Sequence, residues 1–185
     1  MTTQIALLRA INVGGHGKIA MADLRALLEQ LGMHDVRSVL HAGSFVFSAD
    51  STGVELEDRL ERAAFDRLDL RTDVVVRNVG EWATVVGGNP FALEAERDPG
   101  HLIVVFLKRE PAAGALETLR SAVKGRETMH GAGRHLYVTY PDGIGDSRLT
   151  GTLIESKLGV RGTARNWNTV RKLDELARQA GPKAS

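Results

Sequence analysis

The spacing of apolar side chains divides the chain into short strands and amphipathic helices. Ile5 to Ile11 is a short, mostly apolar run that predicts a strand, broken by Gly14, Gly15 and Gly17. Met21, Leu24, Leu27, Leu28 and Leu31 recur at three- and four-residue spacing, which predicts a helix with one apolar face, closed by Gly32. Val36 to Leu40 and Phe45 to Phe47 predict two strands joined by a hairpin at Gly43 and Ser44. Leu56, Leu60, Ala63, Ala64 and Leu68 mark a second helix, and Val74 to Val76 a fourth strand. The order is β-α-β-β-α-β, the ferredoxin-like unit.

Val79 to Gly100 follows as a connecting segment, with a short helix expected around Trp82 to Val86 and a hinge at Gly87, Gly88, Pro90, Pro99 and Gly100. The pattern then returns. His101 to Leu107 predicts a strand, and Leu116, Leu119 and Val123 a helix. Glu127 to His130 and Leu136 to Tyr140 predict a hairpin around Gly131 and Gly133. Leu149, Leu153, Ile154 and Leu158 give a helix closed by Gly159, and Gly162 to Asn166 a last strand. Val170, Leu173, Leu176 and Ala177 add a terminal helix. The expected fold class is therefore α+β: two ferredoxin-like βαββαβ units in tandem with an extra C-terminal helix. The boundaries expected are 1–80 for the first unit, 81–100 for the connecting segment and 101–180 for the second unit with its helix. The repeat of elements suggests an internal duplication.

Composition narrows the function classes. A 43% hydrophobic share fits a globular protein, and no apolar run approaches the ~20 residues of a membrane span. No basic stretch precedes the first apolar run, so the expected location is the cytoplasm and no membrane partner is expected. The chain has no cysteine, which excludes disulfides, thiolate metal sites and a thiol nucleophile. The six histidines, His16, His34, His41, His101, His130 and His135, form no i, i+4 ligand pair, so no metal site is expected. The net charge is only +1, yet residues 1–90 carry 9 basic against 12 acidic side chains and residues 91–185 carry 15 against 11. The excess concentrates in residues 161–185, at 6 against 2.

Three stretches combine glycine, charge and hydrogen-bonding side chains. The first runs from Arg9 through Asn12, Gly14 and Gly15 to Lys18, between a strand and a helix. Glycines let backbone amides approach an anion, and a helix start adds partial positive charge. It is neither a Walker loop nor a dinucleotide fingerprint, since Asn12, Ile19 and Ala20 stand where those motifs need glycine, Ser or Thr, and glycine. A tight turn explains it equally well. The second, Tyr140-Pro-Asp-Gly-Ile-Gly-Asp-Ser147, leaves a strand and enters a helix, where Asp146 or Ser147 is expected as a cap and Ser147 as a polar ligand contact. The third is Arg165-Asn166-Trp167-Asn168-Thr169, with Asn168 or Thr169 expected as the cap of the terminal helix. A guanidinium, amides and an indole at a helix start suit a planar or anionic ligand, although Trp167 also serves as an anchor to the core.

Other candidates are poorer. His41 and Ser44 lack a nucleophile elbow. Glu55, Glu57, Asp58 and Glu61 read as a solvated acidic helix face. Tyr137 and Tyr140, three apart, are expected on opposite faces of their strand, and the chain is only 5% aromatic, so base stacking on the sheet has little support.

Leu8-Arg-Ala-Ile-Asn-Val-Gly-Gly15, followed by Met21-Ala-Asp-Leu-Arg25, resembles the opening of the bacterial family known as domain of unknown function 1697, which reads R-G-I-N-V-G-G and then M-x-x-L-R. Tyr140-Pro-Asp-Gly-Ile-Gly145 and Arg165-Asn-Trp-Asn-Thr-Val170 resemble its other two signatures, so the likeness spans about residues 5–177. The resemblance implies a cytoplasmic protein of two ferredoxin-like units and brings no established activity or cofactor. The family's Q-S-G-N-V-V-F hairpin is replaced here by His41-Ala-Gly-Ser-Phe-Val-Phe47, and the glycine that follows its Arg by Ala10.

The expected function is binding of a small anionic or nucleotide-like ligand in a cleft between the halves. Arg9, Lys18 and Arg165 would neutralise it, and Asn12, Asn166 and Asn168 would hydrogen-bond it. Alternatives are nucleic-acid binding through the basic C-terminal region, with Arg165, Arg171, Lys172 and Arg178 on phosphates, and a structural or interaction module.

Overall fold

Strands such as Leu102–Leu107 are buried at every position, which is why they read as continuous apolar runs rather than as alternating ones. The structure, a computed structural model, describes residues 1–9, 19–39 and 43–180. The first set of elements is β1 (Thr2–Leu8), α1 (Met21–Gln30), β2 (His34–Val39), β3 (Ser44–Ala49), α2 (Gly53–Leu68) and β4 (Val74–Asn78). Two helices follow, α3 (Val79–Gly87) and α4 (Ala92–Arg97). The second set is β5 (Leu102–Leu107), α5 (Ala115–Ala122), β6 (Thr128–Ala132), β7 (His135–Thr139), α6 (Gly151–Leu158) and β8 (Gly162–Asn166), and α7 (Trp167–Ala180) ends the described chain.

Each set builds a four-stranded antiparallel sheet, in the orders β2-β3-β1-β4 and β6-β7-β5-β8. The orders are equivalent, and each is that of a βαββαβ ferredoxin-like unit. The protein is thus α+β, with two such units in tandem and further helices. In the first unit Ala6, Leu8, Phe45, Phe47, Val74 and Val76 meet Leu24 and Leu28 of α1 and Leu56 and Leu60 of α2. In the second, Ile103, Val105, Leu107, Leu136 and Val138 meet Leu119 of α5 and Ile154 and Leu158 of α6. The intervening positions, Ile5, Leu7, Val46 and Val75 in one sheet and Leu102, Val104, Phe106 and Tyr137 in the other, are buried too. Gly32 and Gly159 end α1 and α6 in the left-handed region, at φ of 85° and 66°, as their positions predict.

The chain divides into two compact units, Met1–Gly87 with the stretch from Arg171 onward, and Gly88–Val170. This departs from the boundaries drawn on the sequence in two places. Helix α3 packs on β4 and β1, burying Trp82 and Val85, so it completes the first unit rather than opening a linker. The terminal helix is shared, its part from Arg171 grouping with the first unit.

The acidic face of α2 is the solvated surface expected only in part: Glu55 and Asp58 are exposed, but Glu57 and Glu61 are turned to the sheet edge. Glu57 is fully buried, and its Oε1 accepts from the Val76 amide at 2.8 Å. Glu61 Oε1 accepts from the Val74 amide at 2.8 Å. These amides point away from β1 at the outer edge of the sheet, where an unpaired strand would otherwise offer itself to another chain. Two glutamates four apart on a helix thus close two amides two apart on a strand. In the second unit Glu155 of α6 accepts from the Gly162 amide at 3.2 Å in the same way.

Candidate functional site

The last strand of each sheet ends in an Arg-Asn pair and turns into a helix with no intervening loop: Arg77-Asn78 into α3, Arg165-Asn166 into α7. The register makes the corners equivalent, since Ile5 pairs with Arg77 and Val104 with Arg165 at matching places in the two ladders. Both arginines curl back to the edge of their own strand. Arg77 Nη1 donates to the Val76 carbonyl at 2.8 Å, and Arg165 Nη1 to the Ala164 carbonyl at 2.8 Å. Arg165 Nη1 also donates to Thr163 Oγ1 at 2.7 Å.

Both asparagines cap the helix that follows. Asn78 Oδ1 accepts from the Glu81 amide at 2.9 Å, and Glu81 Oε2 accepts from the Asn78 amide at 2.9 Å, a reciprocal capping box. Asn166 Oδ1 accepts from the Thr169 amide at 3.0 Å. The cap of α7 is therefore Asn166, not Asn168 or Thr169. The helix starts at Trp167, three residues before its first apolar-periodic position at Val170, because the strand feeds it directly. Trp167 is buried, and its amide donates to the Pro99 carbonyl at 3.2 Å. Thr169 is buried and Asn168 exposed.

Glu57 Oε1 lies 3.7 Å from Arg77 Nη1, and both side chains are almost wholly buried. Arg165 is 9% exposed, and desolvation pulls its guanidinium down to about 10. It still carries its charge near neutrality, so a full cation sits in a poorly solvated place.

The other predicted site residues fall as follows. Asn12, Gly14, Gly15 and Lys18 lie outside the described residues, as do His16, His41 and the end of the first predicted strand. Arg9 belongs to the first unit, where Nη1 donates to Asp73 Oδ2 at 3.3 Å and the backbone carbonyl accepts from Thr72 Oγ1 at 2.7 Å. Tyr140 is buried in the second core and its hydroxyl donates to the Leu149 carbonyl at 2.9 Å. Ser147 gives its hydroxyl hydrogen to Glu127 and accepts from the Leu149 amide at 3.0 Å. It does not cap α6; Thr150 does, with its Oγ1 accepting from the Leu153 amide at 3.2 Å. Asp142 is held by Arg126, whose hydrogen bond keeps the carboxyl below its usual range. The Tyr140–Ser147 loop thus spends most of its polar groups on itself and its neighbours.

The basic tail is partly neutralised from within. Lys172 Nζ lies 3.0 Å from Glu175 and Arg178 Nε 2.9 Å from Asp174. Tyr137 and Tyr140 are both buried, leaving neither ring exposed for base stacking. Among the described residues no helix is long and apolar enough to cross a membrane.

Two tandem ferredoxin-like units, each closed by an Arg-Asn corner, define the class of protein. The chain belongs to the family described as protein of unknown function DUF1697, whose model matches residues 1–137. That match ends in β7, so the Tyr140 and Arg165 stretches lie beyond it. Among solved structures the chain is similar to the conserved bacterial protein SP0830 from Streptococcus pneumoniae, at 19% identity and a TM-score of 0.74, covering 95% of this chain and 98% of that one. A comparison with curated proteins gives no match.

Proposed function

We propose that the protein binds a small anionic ligand and that Arg165 is the residue that neutralises it. One observation carries this reading: the second unit holds a guanidinium 9% exposed, with its pKa drawn down by desolvation to about 10. A guanidinium at a strand-to-helix turn presents N–H donors whose charge-assisted hydrogen bonds to an anion are stronger than neutral ones. Asn166 and Thr169, at the start of α7, supply the polar surroundings. The glycine-rich stretch from Arg9 through Asn12, Gly14 and Gly15 to Lys18 is proposed, on its sequence alone, as a second anion-binding element, in the first unit.

A thermal-shift screen against phosphate, sulfate, sugar phosphates, nucleotides and carboxylates tests the proposal. At least one anion raises the melting temperature of the wild type, and the rise disappears in Arg165→Ala. Arg178→Ala, on the exposed face of α7, keeps it. A screen in which no anion acts, or in which the Arg165 variant responds like wild type, overturns the reading.

A further inference from the structure

We propose that the first unit carries a ligand site of its own, a groove across the end of its sheet that takes a neutral, hydroxyl-rich molecule of the sugar class. It shares no residue with the anion-binding reading above.

The groove lies wholly within the first unit and has a volume of about 860 Å³, a size proper to small-molecule sites. Thr2 and Thr3 reach it from the start of β1, Ser48 from β3, Thr52 from the turn into α2, Asn78 from the end of β4 and Asp35 from β2. The β1–β3 ladder sets Thr3 opposite Ser48, so both hydroxyls stand on one face. Asp35 falls where the β2–β3 register shifts, with φ at 53°, and an irregularity of that kind re-aims a side chain.

A wholly buried amide orients two of the hydroxyls. Gln4 Nε2 donates to Thr2 Oγ1 at 2.7 Å, and Gln4 Oε1 accepts from Thr52 Oγ1 at 3.0 Å. Thr2 therefore keeps its own hydrogen for a ligand, and Thr52 keeps its lone pairs. Thr52 is the N-cap of α2, yet its hydroxyl makes no cap bond, because it is turned to Gln4 instead. Asn78 commits its Oδ1 to the Glu81 amide, which leaves the two hydrogens of Nδ2. Thr3 is only 9% exposed, and its hydroxyl has no hydrogen-bond partner among the described residues. A buried hydroxyl of that kind calls for a partner from outside the chain.

The pattern of donors and acceptors selects the ligand. The cations at the rim are each paired, the Met1 ammonium with Asp50 at 3.2 Å and Arg178 with Asp174 at 2.9 Å. An anion would bring acceptors only and would face Asp35 and the Thr52 lone pairs. An ammonium would bring donors only and would leave Thr2 and Asn78 without acceptors. A hydroxyl donates and accepts at once, so a run of hydroxyls meets Thr2 and Asn78 as donors and Thr52 and Asp35 as acceptors. The Asp35 carboxylate makes the strongest of these bonds, being charged.

The hydroxyls have two chemical sources, a free sugar or the ribose of a nucleoside. The full chain, isotopically labelled, is titrated separately with glucose, maltose, uridine, methylammonium and acetate. The amide resonances of Thr3, Ser48 and Gly80 are followed. At least one hydroxylated probe shifts them, and methylammonium and acetate do not. Asp35→Asn keeps a residue tolerant of the left-handed backbone and weakens binding about tenfold, and Thr2→Val weakens it about fivefold. Lys157→Ala, on α6 of the second unit, binds as wild type does. A response to glucose or maltose alone identifies a free sugar, one to uridine alone a nucleoside, and one to both a site that reads hydroxyls only; each supports the inference. A response to methylammonium or acetate and to no hydroxylated probe overturns the ligand class. No response to any of the five overturns the site, and wild-type affinity in both Asp35→Asn and Thr2→Val overturns the placement.

Discussion

Glu57 and Arg77 meet over the outer edge of β4, carboxylate and guanidinium 3.7 Å apart, with neither side chain more than 3% exposed. The pair comes from two elements, α2 and β4, and both partners also bond the backbone of Val76, Glu57 accepting from its amide and Arg77 donating to its carbonyl. The contact therefore fixes the helix to the strand as well as closing the edge.

Glu57→Gln keeps an oxygen for the Val76 amide and removes the charge beside Arg77. Removing one charge of a buried ion pair costs about 3 kcal/mol or more. Urea denaturation measures the loss. The double variant Glu57→Gln with Arg77→Met is expected to lose less than the sum of the two single changes, because neither charge of the pair remains. Strict additivity would show that the two side chains do not act as a pair.

Asn78→Ala and Asn166→Ala each remove a helix cap, and each is expected to cost about 1 kcal/mol in the same assay. Asp at either position keeps the accepting oxygen and restores most of the loss. The Asn78 change is the larger, since it also disturbs the reciprocal bond with Glu81. If alanine is neutral at Asn166, the caps contribute nothing and the residue is free to serve a ligand alone.

The order of strands and helices was legible because each helix keeps its apolar period and each strand its apolar run. The Arg165–Thr169 cluster was legible as a place where a strand meets a helix. What escaped was the partnership of its residues. Placing the helix start at Val170 hid Asn166 as the cap, and only the loopless junction reveals it. Glu57 looked like its exposed neighbours Glu55 and Asp58, because helical periodicity counts apolar positions and is blind to a carboxylate turned towards a sheet edge. The signal that would have found it is the four-residue spacing of Glu57 and Glu61 before an edge strand. The match of Arg77-Asn78 to Arg165-Asn166 was also present in the sequence, as a dipeptide repeated at the end of the fourth strand of each set. It carries weight only once the two ladders place it at the same register.

Gly162 and Gly151 are predicted to respond in opposite directions to alanine. A Cβ at Gly162 would stand 2.6 Å from the Phe106 carbonyl oxygen, a backbone atom held in the β5 ladder that cannot move aside. Gly162→Ala should cost about 1–3 kcal/mol. At Gly151 no atom lies within 4 Å and the residue is helical, so alanine is neutral or stabilises by up to about 1 kcal/mol. Thermal unfolding of the two variants decides it, and a stable Gly162→Ala would mean that the β5–β8 spacing is looser than the structure has it.

Tyr140 gives a pH signature. Burial, with the charge of Glu127 adding to it, pushes its phenol up to about 12, and burial does the same to Tyr137. The unfolded chain releases a tyrosine proton near 10. Between about 10 and 12 the folded state binds the extra proton, so the contribution of Tyr140 to stability is whole below about pH 10 and is lost as pH rises towards about 12. Arg165 works in the opposite sense. Its folded value lies near 10 and its unfolded value above 12, so the unfolded state holds the extra proton and stability rises with pH over the same range. The wild-type curve is the balance of these opposing slopes and does not isolate either. The difference between wild type and Tyr140→Phe does. At neutral pH the variant loses the hydrogen bond to the Leu149 carbonyl and is less stable by about 1 kcal/mol. That deficit should stay constant up to about pH 10 and shrink steadily above it, as the wild-type phenol is forced to ionise in the core. Urea midpoints of both proteins at half-unit steps from pH 8 upward measure it, and a deficit that holds its size through about pH 12 would mean that the Tyr140 hydroxyl is not buried in the folded second unit.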